Sequence, residues 1–539
     1  MKPGVERLDV TIEELEALLE RVREPLGEAG YQKLQAAIRT LGYVTELLEN
    51  REATLAALRR LLCRVSTEKT AQVLKQAGVE VGEKKHKPAG QRSPETAAPG
   101  HGRHEAAAYR GAHKVKVPHG SLHPGDRCPE CQRGKVYPLR DPGLLVRIKG
   151  QPPIEATVYE LEKLRCNLCG EVFTARAPEG VGTEKYEATV ASMIALLRYG
   201  SGFPWNRLER LEGSLGIPLP AATQWEIVAE TAAVIQPGLQ ELIRQAAQGE
   251  VLYNDDTAMR VLALRRGTAD GGEETGERTG VFTSGIVSTR EGRRIALFFT
   301  GRRHAGENLG EVLKRRAAER DPPIQLCDAL SRNLPKLPEK LQVIVGHCLA
   351  HGRRRFVEVT PNFPEACRFV LETLGEVYGN EALAQGLSPE ERLRFHQARS
   401  GPIMDDLRAW LEVQFEEKKV EPNSGLGEAI SYWLKHWDRL TLFLRQAGAP
   451  LDNNVCERGL KKAILHRKNS LFYKTEKGAQ VGDLYMSLIH TCELNGANPF
   501  EYLTALQKHS AELAHNPSMW MPWNYRQALG RAEVPGAAG

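Results

Sequence analysis

A succession of β-type segments between residues 251 and 345 constrains the fold of this chain more than any other feature. Val251-Leu252-Tyr253 and Val261-Leu262-Ala263-Leu264 read as strands, and 280–288 and 294–300 follow as two more β-rich runs. Residues 267–278, rich in Gly, Glu and Thr, read as a hairpin loop. A helical stretch at 304–318 leads to a buried strand, Ile324-Gln325-Leu326-Cys327. A short helix and a strand at 341–345 complete the set. Three antiparallel strands, a helix, a strand, a helix and a strand is the order of a ribonuclease-H-like fold.

The rest of the chain must be arranged around that core. With 539 residues it has room for about three or four domains. Hydrophobic residues make up 41% and charged residues 26%, which excludes a wholly disordered, collagen-like or membrane-embedded chain. No run approaches the ~18 apolar residues of a spanning helix, and Met1-Lys2-Pro3-Gly4-Val5-Glu6 lacks the apolar centre of a signal peptide. The expected location is the cytoplasm, in association with the nucleoid, without a membrane partner. Leu34, Leu41, Leu48, Leu55 and Leu62 recur at heptad spacing in the helical segment 1–80. Such a seam favours a coiled-coil partner and homo-oligomers; an amphipathic helix packed on its own chain is the alternative. Residues 81–120 read as a flexible basic linker, with eight Lys/Arg against three Glu between 83 and 120.

Ten cysteines in a reducing compartment are metal ligands, reactive thiols or buried hydrophobes rather than a disulfide framework. Four of them form two knuckles, Cys128-Pro-Glu-Cys131 and Cys166-Asn-Leu-Cys169, separated by thirty-four residues. Two knuckles close a four-sulfur tetrahedral site suited to structural Zn²⁺, so 121–180 reads as a zinc ribbon. Its strands are expected at 144–148 and 156–161. Three short helices between 181 and 248, at 186–199, 205–215 and 221–235, are compatible with a helix-turn-helix-like DNA-binding region.

Three carboxylates stand where the core would gather them. Asp255 follows an apolar strand start, Asp328 ends a buried strand, and Glu457 lies in a helix start at Asp452-Asn453-Asn454-Val455-Cys456-Glu457-Arg458. The first and fourth strands of a ribonuclease-H-like sheet are neighbours, and a later helix brings the third acid. Oxygen-only clusters hold hard cations such as Mg²⁺ or Mn²⁺. Asp256 competes with Asp255 for the first position.

Several motifs carry a resemblance. They are the 452–458 segment, Arg467-Lys468-Asn469-Ser470-Leu471-Phe472, Leu488-Ile489-His490-Thr491-Cys492-Glu493-Leu494-Asn495-Gly496, Pro499-Phe500-Glu501-Tyr502-Leu503 and Cys348-Leu349-Ala350-His351-Gly352-Arg353-Arg354-Arg355-Phe356. Together they resemble transposases of the insertion sequence 66 family. The resemblance implies a DDE-type transposase that binds terminal inverted repeats of double-stranded DNA and joins 3′-hydroxyl ends to target DNA, with catalytic and metal-holding Asp255, Asp328 and Glu457. It also implies small accessory proteins encoded by the same element. Asp255-Asp256-Thr257-Ala258 stands where the family has Asp-Glu-Thr-Pro. Ala329-Leu330-Ser331-Arg332-Asn333 stands where it has a Gly-Tyr-containing turn. The alternatives are a structure-specific nuclease of the same fold and a domesticated DNA-binding protein.

Residues 458–477 carry seven Lys/Arg against one acid. Arg458, Lys461, Lys462, Arg467 and Lys468 are candidate phosphate contacts, with His351, Arg353 and Arg354 beside them. A solvated helix face is the plain alternative. Phe472 and Tyr473 are aromatic enough to stack on a base, or to pack in the core. Cys348 and His351 have ligand-like spacing without a second pair. The expected architecture is multidomain α+β. The catalytic core spans 249–350 and 450–515, split by a helical insertion at 351–449 whose core holds Trp410, Trp433 and Trp437, with a C-terminal tail at 516–539.

Overall fold

The structure, a computed structural model, describes residues 120–137, 151–165, 172–182, 184–264 and 280–532, with isolated positions besides. The leucine repeat, almost all of the basic linker, Cys166 and the 267–278 loop lie outside the described residues. The chain divides into two compact units, Met1–Val73 and Leu74–Gly539.

Two short antiparallel strands, β1 (Lys163–Arg165) and β2 (Val172–Thr174), flank Cys169. The strand expected at 156–161 is absent: that stretch is irregular, with Val158 84% exposed. The segment at 144–148 lies outside the described residues.

Helix α1 (Ala188–Ala195) runs into a π turn at Leu196–Gly200, and α2 (Trp205–Ser214) and α3 (Ala221–Ala246) follow. Helix α3 continues eleven residues past the expected end at Ile235, through Pro237. Burial of Leu242, Ile243 and Ala246 outweighs the backbone donor that Pro237 lacks.

The main sheet has five strands: β3 (Val251–Ala258), β4 (Phe282–Arg290), β5 (Arg293–Gly301), β6 (Ile324–Cys327) and β7 (Ile344–His347), in spatial order β5-β4-β3-β6-β7. The first three form an antiparallel meander, and β6 and β7 run parallel to β3. Glu291 (φ 50°) and Gly292 (φ 76°) make the two-residue β4–β5 turn, as the twist of a tight hairpin requires. Helix α4 (Ala305–Leu313) joins β5 to β6. This strand order is the one expected of a ribonuclease-H-like sheet.

Two expectations fail locally. Leu262–Leu264 is a 3₁₀ turn rather than a strand, because the chain leaves the sheet after Ala258 and Val261 pairs with Tyr473 instead. Between β6 and β7 there is a single 3₁₀ turn, Ser331–Asn333, instead of a short helix. Pro335 and Pro338 follow it and forbid helical continuation.

After β7 the chain enters a helical block: α5 (Leu349–Val359), α6 (Pro364–Leu383), α7 (Pro389–Arg399), α8 (Gly401–Glu416), α9 (Gly425–Lys435) and α10 (Trp437–Leu440). Its core includes Phe356, Leu374, Leu411 and Trp433, all fully buried. Trp437 is buried and Trp410 half-buried. The chain then returns to the sheet through α11 (Asn454–Ser470) and α12 (Glu476–Leu494). Helices α13 (Pro499–Lys508), α14 (Ser510–His515) and α15 (Tyr525–Ala532) close the unit. The segment expected as a tail is anchored at its start, with Trp520 and Met521 buried. Helices α1–α3 share one apolar core with α12 and α13, through Ile194, Leu208, Val228, Ile489 and Leu506 among others.

The outer edge of the sheet is closed in an unusual way. Every second backbone N–H of β5 points at a side chain of α12 or its cap. Arg294, Ala296, Phe298 and Thr300 donate to Asn495 Oδ1 (3.2 Å), Thr491 Oγ1 (3.1 Å), Ser487 Oγ (3.0 Å) and Asp483 Oδ2 (2.6 Å). Two residues of strand rise about 6.7 Å and four of helix about 6 Å, so a polar residue every fourth position keeps step with the ladder. The exposed edge that would invite another strand is thereby satisfied internally.

Candidate active site

Asp255 lies on β3, whose side chains alternate between the two faces of the sheet. Asp328 follows β6, the parallel neighbour of β3. Glu457 lies in the first turn of α11. Helix α11 sits close to the sheet because Gly285, the cross-strand partner of Asp255, has no side chain. A Cβ there would stand 2.9 Å from Leu460 of the helix. Cys456 Sγ donates to Gly285 O at 3.3 Å on the same contact. The start of α11 is tied down as well: Asn453 Nδ2 donates to Asn254 O (3.2 Å) and Asn453 N–H to Cys348 Sγ (3.2 Å).

Asp255 and Asp328 share the Asn333 amide, and Glu457 acts on Asp255 through its charge, although the three carboxylates do not form a ligand group within 4.8 Å. Asn333 Nδ2 donates to Asp328 Oδ1 at 2.5 Å and lies 3.5 Å from Asp255 Oδ1. Asn333 is itself buried, and its carbonyl accepts from Asn254 Nδ2 and Gln325 Nε2, each at 2.8 Å. Burial raises the Asp255 carboxyl to about 7, and the neighbouring charges of Asp328, Asp256 and Glu457 add to it. Burial also raises Asp328. Repulsion of this kind is what a hard cation relieves.

Asp256 faces the other way. His304 Nδ1 lies 2.8 Å from its Oδ2, and Arg332 3.4 Å from its Oδ1. The geometry therefore separates the two adjacent acids: Asp255 shares Asn333 with Asp328 and feels the charge of Glu457, while the buried Asp256 pairs with the half-buried His304 and the exposed Arg332. Sequence reasoning missed Asn333 and His304. Neither carries a spacing signal, because each reaches the site through a loop or a helix cap.

His351 Nε2 lies 3.4 Å from Glu457 Oε1, and Arg354 3.7 Å from Glu457 Oε2. Both flank the carboxylate. Arg353 is half-buried on the same helix, and Arg355 stacks on Tyr432. Among the described residues, the three potential ligands found within 4.8 Å of one another are Cys348, His351 and Glu457. Burial pushes the Cys348 thiol up to about 12.

The basic residues divide into two groups. Arg458, Lys461 and Lys468 are exposed on α11. Lys462 is committed to Glu493 at 2.9 Å. Arg467 donates to Thr257 Oγ1 (3.1 Å) and to Ala258 O, which fastens α11 to the end of β3. Tyr473 is buried, and Phe472 is 40% exposed.

In the cysteine segment, Cys128 N–H donates to Gly134 O, Gln132 N–H donates to Cys128 O, and Gly134 N–H points at Cys131 Sγ (3.4 Å). The Gly134 and Arg133 amides lower the Cys131 thiol below the usual range. Cys169 does not cluster with Cys128 and Cys131 in a three-ligand group. No helix among the described residues is long and apolar enough to cross a membrane.

Comparison with known proteins adds the following. Two uncharacterized proteins of Sinorhizobium fredii (strain NBRC 101917 / NGR234) are similar to the chain. Protein y4hP is 25% identical over 68% of this chain and 67% of its own length. Protein y4jD is 34% identical over 33% of this chain, and the match covers about a third of its own length (35%). No solved structure matches the chain. The model of the Transposase IS66 family matches residues 184–481, more than half of the chain, and takes in the sheet, all three carboxylates and the helical block between them. The chain therefore belongs to the IS66 family of transposases.

Proposed function

We propose that this chain is a DDE-type DNA transposase in which Asp255, Asp328 and Glu457 form the catalytic triad. What supports the reading is the family match over residues 184–481 together with the electrostatics of Asp255, which burial and the charges of Asp328, Asp256 and Glu457 raise to about 7. The donor set suits Mg²⁺ or Mn²⁺, being hard and anionic. Two such ions, held by these carboxylates, would neutralise the attacking and leaving oxygens of an in-line phosphoryl transfer.

The chain's own groups do the rest. Asn333 orients Asp328 and keeps it beside Asp255. Arg354 and His351 fix Glu457. Arg458, Lys461 and Lys468 take DNA phosphates and hold the scissile bond in line. The region at 181–248 and the cysteine segment recognise the terminal inverted repeats; Cys128, Cys131, Cys166 and Cys169 are the residues that would hold Zn²⁺, which would have to draw Cys169 toward Cys128 and Cys131. A 3′-hydroxyl freed by hydrolysis then attacks target DNA without a covalent protein–DNA intermediate. The working form is a homo-oligomer, assisted by accessory proteins of the same element.

The test is strand transfer by purified protein with Mg²⁺ on DNA carrying the inverted repeats that flank the gene. Joined products from wild type, lost in Asp255→Asn, Asp328→Asn and Glu457→Gln, support the reading. Cleavage without joining marks a nuclease. End binding with neither marks a DNA-binding protein that has lost the reaction.

A further inference from the structure

The helix that carries Glu457 ends in a strained and exposed turn. Leu471 adopts φ 67° and ψ −40°, and Phe472 N–H donates back to Ser470 O at 2.8 Å. That is a γ-turn of the rare hand, which a β-carbon makes costly. The two residues at its tip are apolar and uncovered: Leu471 is 58% and Phe472 40% exposed.

Everything around the tip is fixed. On one side, Tyr473 N–H donates to Arg260 O (2.9 Å), and Leu262 N–H to Tyr473 O (2.9 Å). On the other, Arg198 bonds Ser470, and Asn469 Nδ2 donates to Gly202 O (3.2 Å). Beneath it, Tyr473 stacks on His466 with ring centroids 4.3 Å apart. Arg467 ties the last helical turn to Thr257 and Ala258. Leu471 follows Glu457 by fourteen residues along α11, so the tip stands roughly 20 Å from that carboxylate along the helix. Lys468, Lys474 and Lys477 are exposed around it.

We propose that the Leu471–Phe472 tip is a wedge that takes an unpaired base at the DNA end being processed. The inference rests on the DNA-processing reading above and assigns that site a further contact. A base is the occupant that fits. Its flat face covers an aromatic ring and a leucine, while its phosphates meet the three lysines. A rigid, strained apolar tip suits insertion between bases, because no entropy is lost in forming it on contact. The wedge would open the last base pairs so that the scissile phosphate reaches Asp255 as single strand.

The experiment uses full-length protein and a short duplex carrying the flanking inverted repeat, with 2-aminopurine at its terminal pairs. Binding is followed in Ca²⁺ and strand cleavage in Mg²⁺. Wild type should change the 2-aminopurine fluorescence on binding, and Phe472→Ala should bind the duplex without that change. Phe472→Ala should also cut the paired duplex about ten- to a hundred-fold more slowly, the range of one lost stacking contact. It should regain most of the rate on a duplex whose terminal pairs are mismatched, and Phe472→Tyr should behave as wild type. Equal fluorescence changes in wild type and Phe472→Ala, or equal slowing on paired and mismatched ends, overturns the wedge while leaving the transposase reading intact. Failure of wild type to bind the duplex overturns both. Binding with a wild-type fluorescence change but no cleavage by any variant supports the wedge and counts against the catalytic reading alone.

Discussion

His304 Nδ1 lies 2.8 Å from Asp256 Oδ2, and that contact decides which of two adjacent acids is available for chemistry. Asp256 is buried against His304 and Arg332, whereas Asp255 shares Asn333 with Asp328 and lies in the field of Glu457. Substitution at the two positions should therefore part company. Asp256→Ala leaves a half-buried ring and an exposed guanidinium without their partner and should cost about 1 kcal/mol in urea unfolding. Asp255→Asn removes a repelled, buried carboxylate. It should unfold at a higher temperature than wild type at pH 8, lose the thermal shift produced by Mg²⁺, and process DNA at least about a hundredfold more slowly. Equal stability losses at both positions would show that Asp255 is structural.

Two glycines set the spacing of the site, and they should fail in different ways. A methyl at Gly285 would stand 2.9 Å from the Leu460 side chain of α11. Gly285→Ala should push the Glu457 helix off the sheet and slow DNA processing by about a hundredfold, with a stability loss of only about 1–3 kcal/mol. Truncating the obstacle in the double variant Gly285→Ala/Leu460→Ala should restore part of the rate. A methyl at Gly306 would instead stand 2.4 Å from Leu334 O and 2.7 Å from Arg332 O. Backbone cannot be trimmed, so Gly306→Ala displaces the turn carrying Arg332 and Asn333. The readout is rate and urea midpoint for the three variants; rescue that fails in the double variant would sink the helix-displacement account.

How far these features can be seen in the sequence depends on whether they are periodic. The strands and the parallel pairing of β3 with β6 follow from apolar runs, so the neighbourhood of Asp255 and Asp328 is legible before any coordinates. Glu457 needed the motif at 452–458, because nothing local says which sheet face a helix some 200 residues later will cover. Asn333, His304, Gly285 and Gly306 act through loops, caps and close approach, which leave no spacing to read. Lys462 and Arg467 look like DNA contacts in the sequence. The fold turns Lys462 toward Glu493 and Arg467 toward β3. The end of α3 and the turn at 262–264 depart from local preference for a related reason: tertiary burial and pairing override it.

Two buried groups should titrate in opposite senses. Burial raises Asp483 from 3.8 to about 7, even though it accepts two hydrogen bonds from Thr300. Between those values the folded chain keeps a proton that the unfolded chain releases, so this group's contribution to stability falls as pH rises from about 4 to about 7. Burial depresses His466 from 6.5 to about 3, with Arg198 adding to the effect. There the unfolded chain binds the extra proton, so stability rises with pH from about 3 to about 6.5. The two slopes oppose each other over most of the acid range. Relative to wild type, Asp483→Asn should gain stability as pH rises from 4 to 7, and His466→Phe should gain it as pH falls, each by a few kcal/mol at most. Urea midpoints at several pH values check both signs, and parallel curves for the two variants would refute the assignment.

The edge ladder makes the sharpest stability prediction, because a single atom can be removed from it. Thr491 Oγ1 accepts from Ala296 N–H at 3.1 Å and donates to Ala296 O at 3.2 Å, both buried. Thr491→Val keeps the shape and strands one amide and one carbonyl, so it should cost about 1–3 kcal/mol. Ser487→Ala removes the same kind of partner from Phe298 N–H, but also its own bond to Asp483 O, which already serves the helix. It should therefore cost no more than Thr491→Val. Amide hydrogen exchange separates this from a packing effect. Protection at Ala296 should fall in Thr491→Val and at Phe298 in Ser487→Ala, with the other rungs retained. Uniform loss along β5 in either variant would mean that the helix docks by apolar contact and that the side-chain acceptors contribute little.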